Sequence, residues 1–207
     1  MGTINFSGYT HRFLARFVIE AETPLAVGSG DKDVLTDALV ATDVNGLPYI
    51  PGTAIAGVVR HMIEKVNPAD FNINQIFGFQ DKKDGRGSEI IFTEAKILNS
   101  KGEVVDGMNL KAKEDSLLKY YDELPIRQHV RINDKGVTDN AGKFDEQVCF
   151  AGTRFCFELE MVAKCETVDN FNKILKQVQS QTFRIGGGTR SGFGKIKVIC
   201  RGKRHPV

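Results

Sequence analysis

Three aspartates lie within seven residues near the start of the chain, and their carboxylates could take part in catalysis or metal binding. Asp31, Asp33 and Asp37 follow a Gly-Ser-Gly turn at residues 28–30, and Lys32 is the only basic residue among them. A carboxylate in such a loop can hold a divalent cation or accept a proton from a reacting hydroxyl. A solvated acidic loop without a chemical role is the alternative.

A glycine-rich, basic stretch near the C-terminal end is the second candidate site. Residues 186–194 contain five glycines, with Arg184, Arg190 and Lys195 around them and Phe193 inside the stretch. Backbone with so little side-chain bulk can approach a sugar-phosphate chain closely, while cations neutralise phosphates and a ring offers a stacking face. It is not a Walker loop, because no Gly-Lys-Ser/Thr follows at the required spacing. A purely structural turn is the alternative.

The distribution of charge supports a polyanion contact at this end of the chain. The protein has 207 residues and a formal net charge of +2, yet residues 184–207 contain seven basic residues and no acid. The first 183 residues hold 21 basic residues against 26 acidic ones. A locally basic end on such a chain suggests a polyanionic partner, with a solvated basic tail as the alternative.

Hydrophobic periodicity predicts the elements that must position these two stretches. Alternating residues predict strands, and apolar stripes at helical spacing predict two helices. The predicted strands are residues 12–21, 88–98, 154–164 and 194–201, and the predicted helices are residues 53–66 and 168–178. The order strand, helix, strand, strand, helix, strand is that of an α+β, ferredoxin-like fold, on which many RNA-recognition modules are also built.

The length of the chain favours a single domain with one sizeable core. We expect residues of about 10–100 and 153–203 to form that core. Between them, at about residues 100–152, lies an insertion without a long periodic pattern, which in a compact domain is usually functional or disordered. Residues 81–87 contain no apolar residue and are expected to form a mobile loop.

The composition also argues against several classes of protein. The chain has no run of about 18 apolar residues and does not start like a secretion signal, so we expect a cytoplasmic protein without a membrane partner. No Cys-x-x-Cys pair occurs, which argues against a zinc knuckle and favours free thiols in a reducing cytosol. His61 and His129 lack partners at triad spacing and are predicted to be surface or packing residues.

Five short motifs follow one another along nearly the whole chain. They are Gly-Ser-Gly at residues 28–30, LPYIPGTAIAGVVR at 47–60, IFG at 76–78, EIIF at 89–92 and the glycine-rich stretch at 186–195. Each motif alone is common, but this series resembles the RAMP superfamily, the repeat-associated RNA-binding proteins of CRISPR systems. The similarity is greatest to the backbone subunit of type III interference complexes, the branch that slices target RNA.

The resemblance implies a thumb, a β-hairpin inserted before the third strand that wedges between guide and target RNA and displaces a nucleotide. Residues 124–152 are the candidate thumb. The family often has a basic residue where this chain has Ala56, which leaves Arg60 as the expected phosphate contact of the first helix. The expected RNA-binding residues are Gly28, Ser29, Gly52, Thr53, Arg60, Arg127, Val130, Arg131, Ile132, Phe144, Arg184, Gly186, Gly187, Gly188, Arg190, Ser191, Gly192 and Phe193.

The resemblance further implies an endoribonuclease that cuts target RNA within a multisubunit complex. The family's catalytic aspartate lies in the acidic stretch, and counting back from Pro48 and Pro51 aligns it with Asp37, with Asp33 and Asp31 as weaker candidates. An exposed aspartate titrates near pH 4 and is a poor base at neutral pH. We therefore expect Asp37 to bind Mg²⁺ or Mn²⁺ as the cofactor of cleavage.

The partners that the resemblance implies are RNA and other subunits. They are the guide crRNA, the complementary target RNA, other copies of this chain or related RAMP subunits, and the large signalling subunit and small subunit of a type III complex. Two alternatives stay open. One is a noncatalytic RAMP subunit that organises guide RNA; the other is a repeat-RNA processing endoribonuclease, which needs a His or a Tyr/Lys set near the glycine-rich stretch.

Overall fold

The computed structural model describes residues 9–28, 38–82, 84–132, 136–163, 168–181 and 183–201, with backbone alone for 131, 132, 138–142, 200 and 201. Its helices are α1 (Gly52–Val66), α2 (Ile73–Phe77) and α3 (Val168–Val178). Its strands are β1 (His11–Ala21), β2 (Phe79–Gln80), β3 (Gly85–Arg86), β4 (Ile90–Phe92), β5 (Lys96–Ile97), β6 (Ile126–Ile132), β7 (Thr138–Gln147), β8 (Arg154–Ala163) and β9 (Ile196–Arg201).

The main sheet has the strand order β4–β8–β1–β9, and β5 also pairs with β8. Every pairing in it is antiparallel, and Phe17 of β1 lies opposite Phe157 of β8 with their rings 5.3 Å apart. Alternate residues of β1 are buried because one face of the strand packs into the core that α1 and α3 share. The predicted α+β class is confirmed, and the main sheet is antiparallel.

The opposite face of the sheet carries charged residues that pair across strands. All the aromatic residues of β1 and β8 lie on the core side, so this face offers no stacking platform of the kind that RNA-recognition modules use. Salt bridges of 2.6–2.8 Å neutralise the cations of β1 and β8 locally. The pairs are Arg12–Glu160, Arg16–Glu158 and Arg154–Glu20.

The predicted strand at residues 88–98 is split into β4 and β5. Between the two pieces, Ala95 exchanges two backbone hydrogen bonds with Ile50, of 3.0 and 2.8 Å. This contact holds the entry to α1 against the sheet, where the backbone of Gly52 lies so close to the Phe92 carbonyl that a Cβ would be 2.1 Å from it. The strand is split because Ala95 pairs with Ile50 and thereby anchors the start of α1.

Residues 81–87, which the sequence predicts to be a mobile loop, contain part of a short two-stranded hairpin. Phe79 pairs with Arg86, and Gln80 pairs with Gly85. The Arg86 guanidinium donates to the carboxylate of Glu89 at 2.8 Å, and Glu89 is only 4% exposed. This ion pair between a half-exposed arginine and a buried carboxylate fixes β3 beside the core, which the polar composition of the segment does not reveal.

The first half of the predicted insertion belongs to the core rather than projecting from it. Leu118, Tyr121 and Leu124 are buried in the same hydrophobic cluster as the sheet, and the Tyr121 hydroxyl lies 2.8 Å from Thr153 Oγ1. Asp115 accepts hydrogen bonds from Ser100 and from nearby backbone amides, which lowers the pKa of its carboxyl to about 2. The second half contains the antiparallel hairpin of β6 and β7.

The cysteines whose side chains the structure describes are free thiols. Cys149 and Cys156 are free and buried, and burial raises the pKa of the Cys149 thiol to about 12. None of the helices in the described part of the chain is long and apolar enough to cross a membrane.

Candidate nucleic-acid interface

The two segments that flank the acidic segment (residues 29–37) are paired with each other. Gly28 forms a β-bridge with Val40, and the Ala41 amide donates to the Val27 carbonyl at 2.9 Å. We call residues 25–28 and 38–41 the stem. Ser29, Asp31, Asp33 and Asp37 lie outside the described residues, so the stem gives the points at which the chain enters and leaves the acidic segment.

The end of β7 holds both sides of this stem. Glu146 forms a parallel bridge with Ala38, and the Gln147 amide donates to the Ala38 carbonyl at 2.9 Å. Two residues later, Cys149 and Leu25 exchange backbone hydrogen bonds of 2.8 and 3.2 Å. The predicted thumb region is therefore joined directly to the segments on either side of the candidate catalytic aspartates.

The glycine-rich loop (residues 186–194) packs against the same stem. The Gly187 amide donates to the Ala26 carbonyl at 2.7 Å, and the Gly194 amide donates to the Pro24 carbonyl at 2.9 Å. Gly186 has a φ of +89°, and a Cβ on it would lie 2.2 Å from the Ala26 oxygen. Close packing of backbone on backbone thus requires glycine here, as the structural alternative predicts.

Gly192 differs from its neighbours in the glycine-rich loop. Its φ is +92°, and a Cβ on it would meet nothing within 4 Å. None of the described residues fills the space beside Gly192, which is open to an approaching ligand. The loop combines glycines that the fold requires with one whose free side faces outward.

An aromatic cluster joins the hairpin to the glycine-rich loop. The His129 ring stacks on Phe144 with centroids 4.9 Å apart, and it meets Phe193 edge to face at 5.5 Å. His129 Nε2 lies 3.5 Å from Glu146 Oε2, and the two side chains are 19% and 15% exposed. Of the two roles predicted for His129, surface or packing residue, the structure shows packing, and Phe144 and Phe193 lie in the same cluster.

The predicted cations of this region differ in whether they already have hydrogen-bond or ion-pair partners within the chain. Arg184 donates to the Phe193 carbonyl at 3.1 Å, and Lys195 pairs with Glu22 at 2.8 Å. Arg190 is exposed on the short 3-10 turn Thr189–Ser191, and no carboxylate of the described residues forms an ion pair with it. Arg190 is the cation best placed to contact an added polyanion.

The hairpin exposes further predicted residues beside this cluster. Arg127 is exposed, and the side chain of Val130 is half-exposed opposite Lys143. Arg131 and Ile132 lie in β6, where only their backbone is described. Apolar and basic groups on one hairpin suit contact with both bases and phosphates.

The predicted residues of α1 form a separate group. Arg60 donates to Glu64 Oε1, to the Gly78 carbonyl and to Asn74 Oδ1 at 3.0–3.2 Å, which ties α1 to α2. Gly52 is accounted for by its contact with β4, and Thr53 is exposed. No hydrogen bond or ion pair in the described part of the chain joins these residues to the glycine-rich loop. Their contact with RNA stays a prediction.

Sequence reasoning missed the residues that assemble the site, above all Ala26, Ala38, Glu146 and Gln147. Their partners lie far away in the chain: Gln147 contacts Val40 across 107 positions. The only local signal is that two polar residues, Glu146 and Gln147, directly precede the buried pair Val148 and Cys149. Such a signal marks the end of a strand but not its partner.

The described residues contain no group of three or more His, Cys, Asp or Glu side chains that could hold a metal ion. The acidic segment, which lies outside them, has three carboxylates. Carboxylate oxygen is the ligand that Mg²⁺ and Mn²⁺ prefer, so the donor chemistry of Asp31, Asp33 and Asp37 fits such an ion.

A family model described as RAMPs, the RAMP superfamily, matches residues 18–197. The match includes the stem, the hairpin and the glycine-rich loop. The chain belongs to the RAMP superfamily. The family expectation from the five sequence motifs is thereby confirmed.

Among curated proteins, this RAMP chain is similar to the CRISPR system Cms endoribonuclease Csm3 of Methanocaldococcus jannaschii. The two are 28% identical over 216 residues, which cover 91% of this chain and 81% of that protein. The relative is named an endoribonuclease, and its name assigns it to a CRISPR system.

Solved structures share the fold of this RAMP chain. A chain of the type III-B Cmr-beta complex bound to cognate target RNA matches with a TM-score of 0.64 at 15% identity; the match covers 97% of this chain and 62% of that one. The apo state of Cmr-beta gives a TM-score of 0.63 at 16% identity, covering 90% and 96%. A type IV-B CRISPR complex gives 0.61 at 15%, covering 91% and 90%.

Substituting alanine for Gly194 should destabilise this RAMP chain. Gly194 has a φ of +74°, and a Cβ would lie 2.1 Å from the Ile185 oxygen, so we expect Gly194→Ala to lower the free energy of unfolding by about 1–2 kcal/mol or more. The matched control is Gly57→Ala in α1, where a Cβ meets nothing within 4 Å. It should raise that free energy by about 0.5–1 kcal/mol. Urea denaturation measures both, and equal stability of the two variants would contradict the packing described for the loop.

Proposed function

We propose that this chain is a backbone subunit of a type III CRISPR ribonucleoprotein that binds guide RNA and cleaves complementary target RNA. The observation that carries the proposal is the convergence of three separate motifs. The stem of the acidic segment, the β6–β7 hairpin and the glycine-rich loop contact one another through Gln147, His129 and Gly187. The similarity to a CRISPR endoribonuclease supports the same function.

The proposal gives the parts of the fold distinct roles. The core is ferredoxin-like, with β4 and β5 together in the place of the second strand, and the strand order β4–β8–β1–β9 supports this. The β6–β7 hairpin is the thumb. Its exposed Val130 is an apolar group that can interrupt base stacking, while exposed Arg127 contacts phosphate.

RNA binds along the glycine-rich loop rather than on the open face of the sheet. The loop offers Arg190, which has no carboxylate partner among the described residues, and open space beside Gly192. The sheet face offers salt-bridged arginines, and a phosphate there would have to compete with carboxylates already in place. Specificity rests on base pairing between guide and target, so the chain contacts backbone and 2′-hydroxyls.

Cleavage uses the nucleophile that RNA itself carries. A 2′-hydroxyl attacks the adjacent phosphorus when displacement of a nucleotide brings the two into line, and the thumb supplies that displacement. The 2′-oxygen loses its proton and bonds to phosphorus, the bond from phosphorus to the 5′-oxygen breaks, and the 5′-oxygen takes up a proton. Asp37 is the catalytic residue, with Asp33 and Asp31 as weaker candidates, and its carboxylate would hold Mg²⁺ or Mn²⁺. Such an ion would supply charge stabilisation at the phosphate. One product then ends in a 2′,3′-cyclic phosphate, which water can open to a 3′-phosphate, and the other begins with a 5′-hydroxyl.

The partners in this proposal are guide crRNA, target RNA, further copies of this chain or related RAMP subunits, and the large and small subunits of a type III complex. The similarity to chains from CRISPR complexes supports a place among other subunits. The match covers 62% of the first of these chains, so segments of that subunit have no counterpart here.

The repeat-RNA processing alternative needs a histidine or a Tyr/Lys set near the glycine-rich loop. His129 is brought to the loop, but its ring lies between Phe144 and Phe193 and its side chain is only 19% exposed. A base that must reach a 2′-hydroxyl needs an open ring nitrogen. The position of His129 therefore favours target cleavage at the acidic segment over this alternative.

Replacement of Arg190 by alanine should weaken binding of single-stranded RNA and reduce its salt dependence. Each phosphate contact on a single strand contributes about 0.7 to the slope of log K against log salt concentration, so losing one contact should lower the slope by about that amount. The matched control, Arg154→Ala, removes an equal charge from an arginine paired with Glu20 on the sheet face. Fluorescence anisotropy between 50 and 200 mM salt measures both. Equal slopes for the two variants would show that the RNA path lies elsewhere.

Replacement of Asp37 by alanine in a reconstituted complex should abolish cleavage of matched target RNA while leaving target binding intact. We expect the rate to fall on the order of 100-fold or more, and EDTA to stop the wild type with recovery on adding Mg²⁺ or Mn²⁺. Single-turnover cleavage on denaturing gels measures the rate, and the control is Asp84→Ala in the β2–β3 turn, an exposed aspartate remote in sequence.

Three outcomes separate the readings of this experiment. Lost cleavage in Asp37→Ala alone supports the assignment. Normal cleavage in that variant with an inactive Asp33→Ala moves the catalytic role to Asp33. No cleavage by the wild-type complex, with target bound, identifies the noncatalytic guide-binding subunit.

A further inference from the structure

The last residue of β7 makes two hydrogen bonds to one short segment of the stem. The Gln147 backbone amide donates to the Ala38 carbonyl at 2.9 Å, and the Gln147 side-chain Oε1 accepts from the Val40 amide at 3.1 Å. Ala38 directly follows Asp37 in the chain. Gln147 therefore holds the backbone at Ala38 and Val40, one and three residues after the candidate catalytic Asp37.

The side-chain bond supplies something that the backbone pairing cannot. Glu146 and Ala38 form a single parallel bridge, and no further β-bridge joins the described residues of β7 to the stem. Gln147 Oε1 takes the place of the next backbone carbonyl of such a ladder. The Val40 amide therefore has a hydrogen-bond acceptor, although the chain after β7 no longer runs beside Val40. There Cys149 pairs with Leu25 instead.

The same short stretch also controls the other side of the stem. Val40 bridges Gly28, the residue immediately before the acidic segment, and Ala41 bonds to Val27. A shift of Val40 therefore moves both the exit and the entrance of the acidic segment. Misplacement of a catalytic group by about 1 Å can cost on the order of 100-fold in rate.

We infer that Gln147 is a positioning residue for target cleavage: its side-chain carbonyl fixes Val40 and thereby the two ends of the stem from which the acidic segment departs. The inference rests on the proposed function, because it concerns the reaction assigned there to the acidic segment. Since Gln147 is part of β7, the hairpin that contacts RNA and the segment that cuts it share one rigid connection.

Two substitutions of similar size separate the hydrogen bond from the bulk of the side chain. Gln147→Leu removes the acceptor, and Gln147→Glu keeps an oxygen acceptor at the same distance from the backbone. We expect Gln147→Leu to lower the single-turnover rate at saturating target on the order of tenfold or more, with target affinity unchanged, and Gln147→Glu to restore most of that rate. Gln179→Ala, an exposed glutamine after α3, is the control for loss of an amide and should cut at the wild-type rate.

Backbone amide hydrogen exchange at Val40, measured by NMR on the isolated chain, reports the hydrogen bond between Val40 and the Gln147 side chain independently of cleavage. Exchange should be faster in Gln147→Leu than in the wild type and should return toward the wild-type rate in Gln147→Glu. Faster exchange together with a reduced cleavage rate supports the inference. Faster exchange with an unchanged rate overturns it, and so does slow exchange in Gln147→Leu, because the side-chain bond then does not hold Val40.

The two proposals fail in different ways. If the wild-type complex binds target but does not cut, the proposed cleavage function fails. If the wild type cuts and Gln147→Leu cuts equally fast, cleavage stands and the positioning role of Gln147 is wrong. If Gln147→Leu does not fold, the cleavage rate and the Val40 exchange of Gln147→Glu still test the inference. A wild-type rate together with fast exchange at Val40 would contradict the positioning role of Gln147.

Discussion

The organisation of the site depends on the way in which the end of β7 pairs with both halves of the stem. Glu146 and Gln147 hold Ala38 and Val40, and Cys149 holds Leu25. Backbone groups buried at such a junction must be paired, because an unpaired amide or carbonyl costs free energy when removed from water. The pairing therefore sets where the acidic segment leaves the stem and joins the end of the hairpin to that stem.

Close packing of the glycine-rich loop on this stem explains why three distant parts of the sequence meet. The Gly187 amide bonds to the Ala26 carbonyl, and a Cβ on Gly186 would lie 2.2 Å from the same oxygen, so Gly186 must be glycine. Gly186 and Gly194 also provide the left-handed conformations that bring the loop against the stem. The aromatic cluster of His129, Phe144 and Phe193 then closes the gap between the loop and the hairpin. Glycine has a structural role along one side of the loop, and at Gly192 the other side is left open.

Elements with strong periodicity could be predicted from the sequence, and contacts across long separations could not. The stripes of α1 and α3 and the alternation of β1 and β8 are visible because each buries one face. The split of the strand at residues 88–98 arises from the pairing of Ala95 with Ile50. The hydrogen bond of the Gln147 side chain is made to Val40, which lies 107 positions away. Neither partner has a local signature. The predicted Asp37 lies outside the described residues, so its catalytic role rests on the family resemblance.

The central claim is that the hairpin and the glycine-rich loop form one RNA-binding surface and that the open face of the sheet does not contact RNA. Photocrosslinking of guide RNA containing 4-thiouridine, followed by mass spectrometry of the attached peptides, tests this directly. The account predicts crosslinks within residues 126–147 and 184–195. Crosslinks confined to β1 and β8 would contradict it.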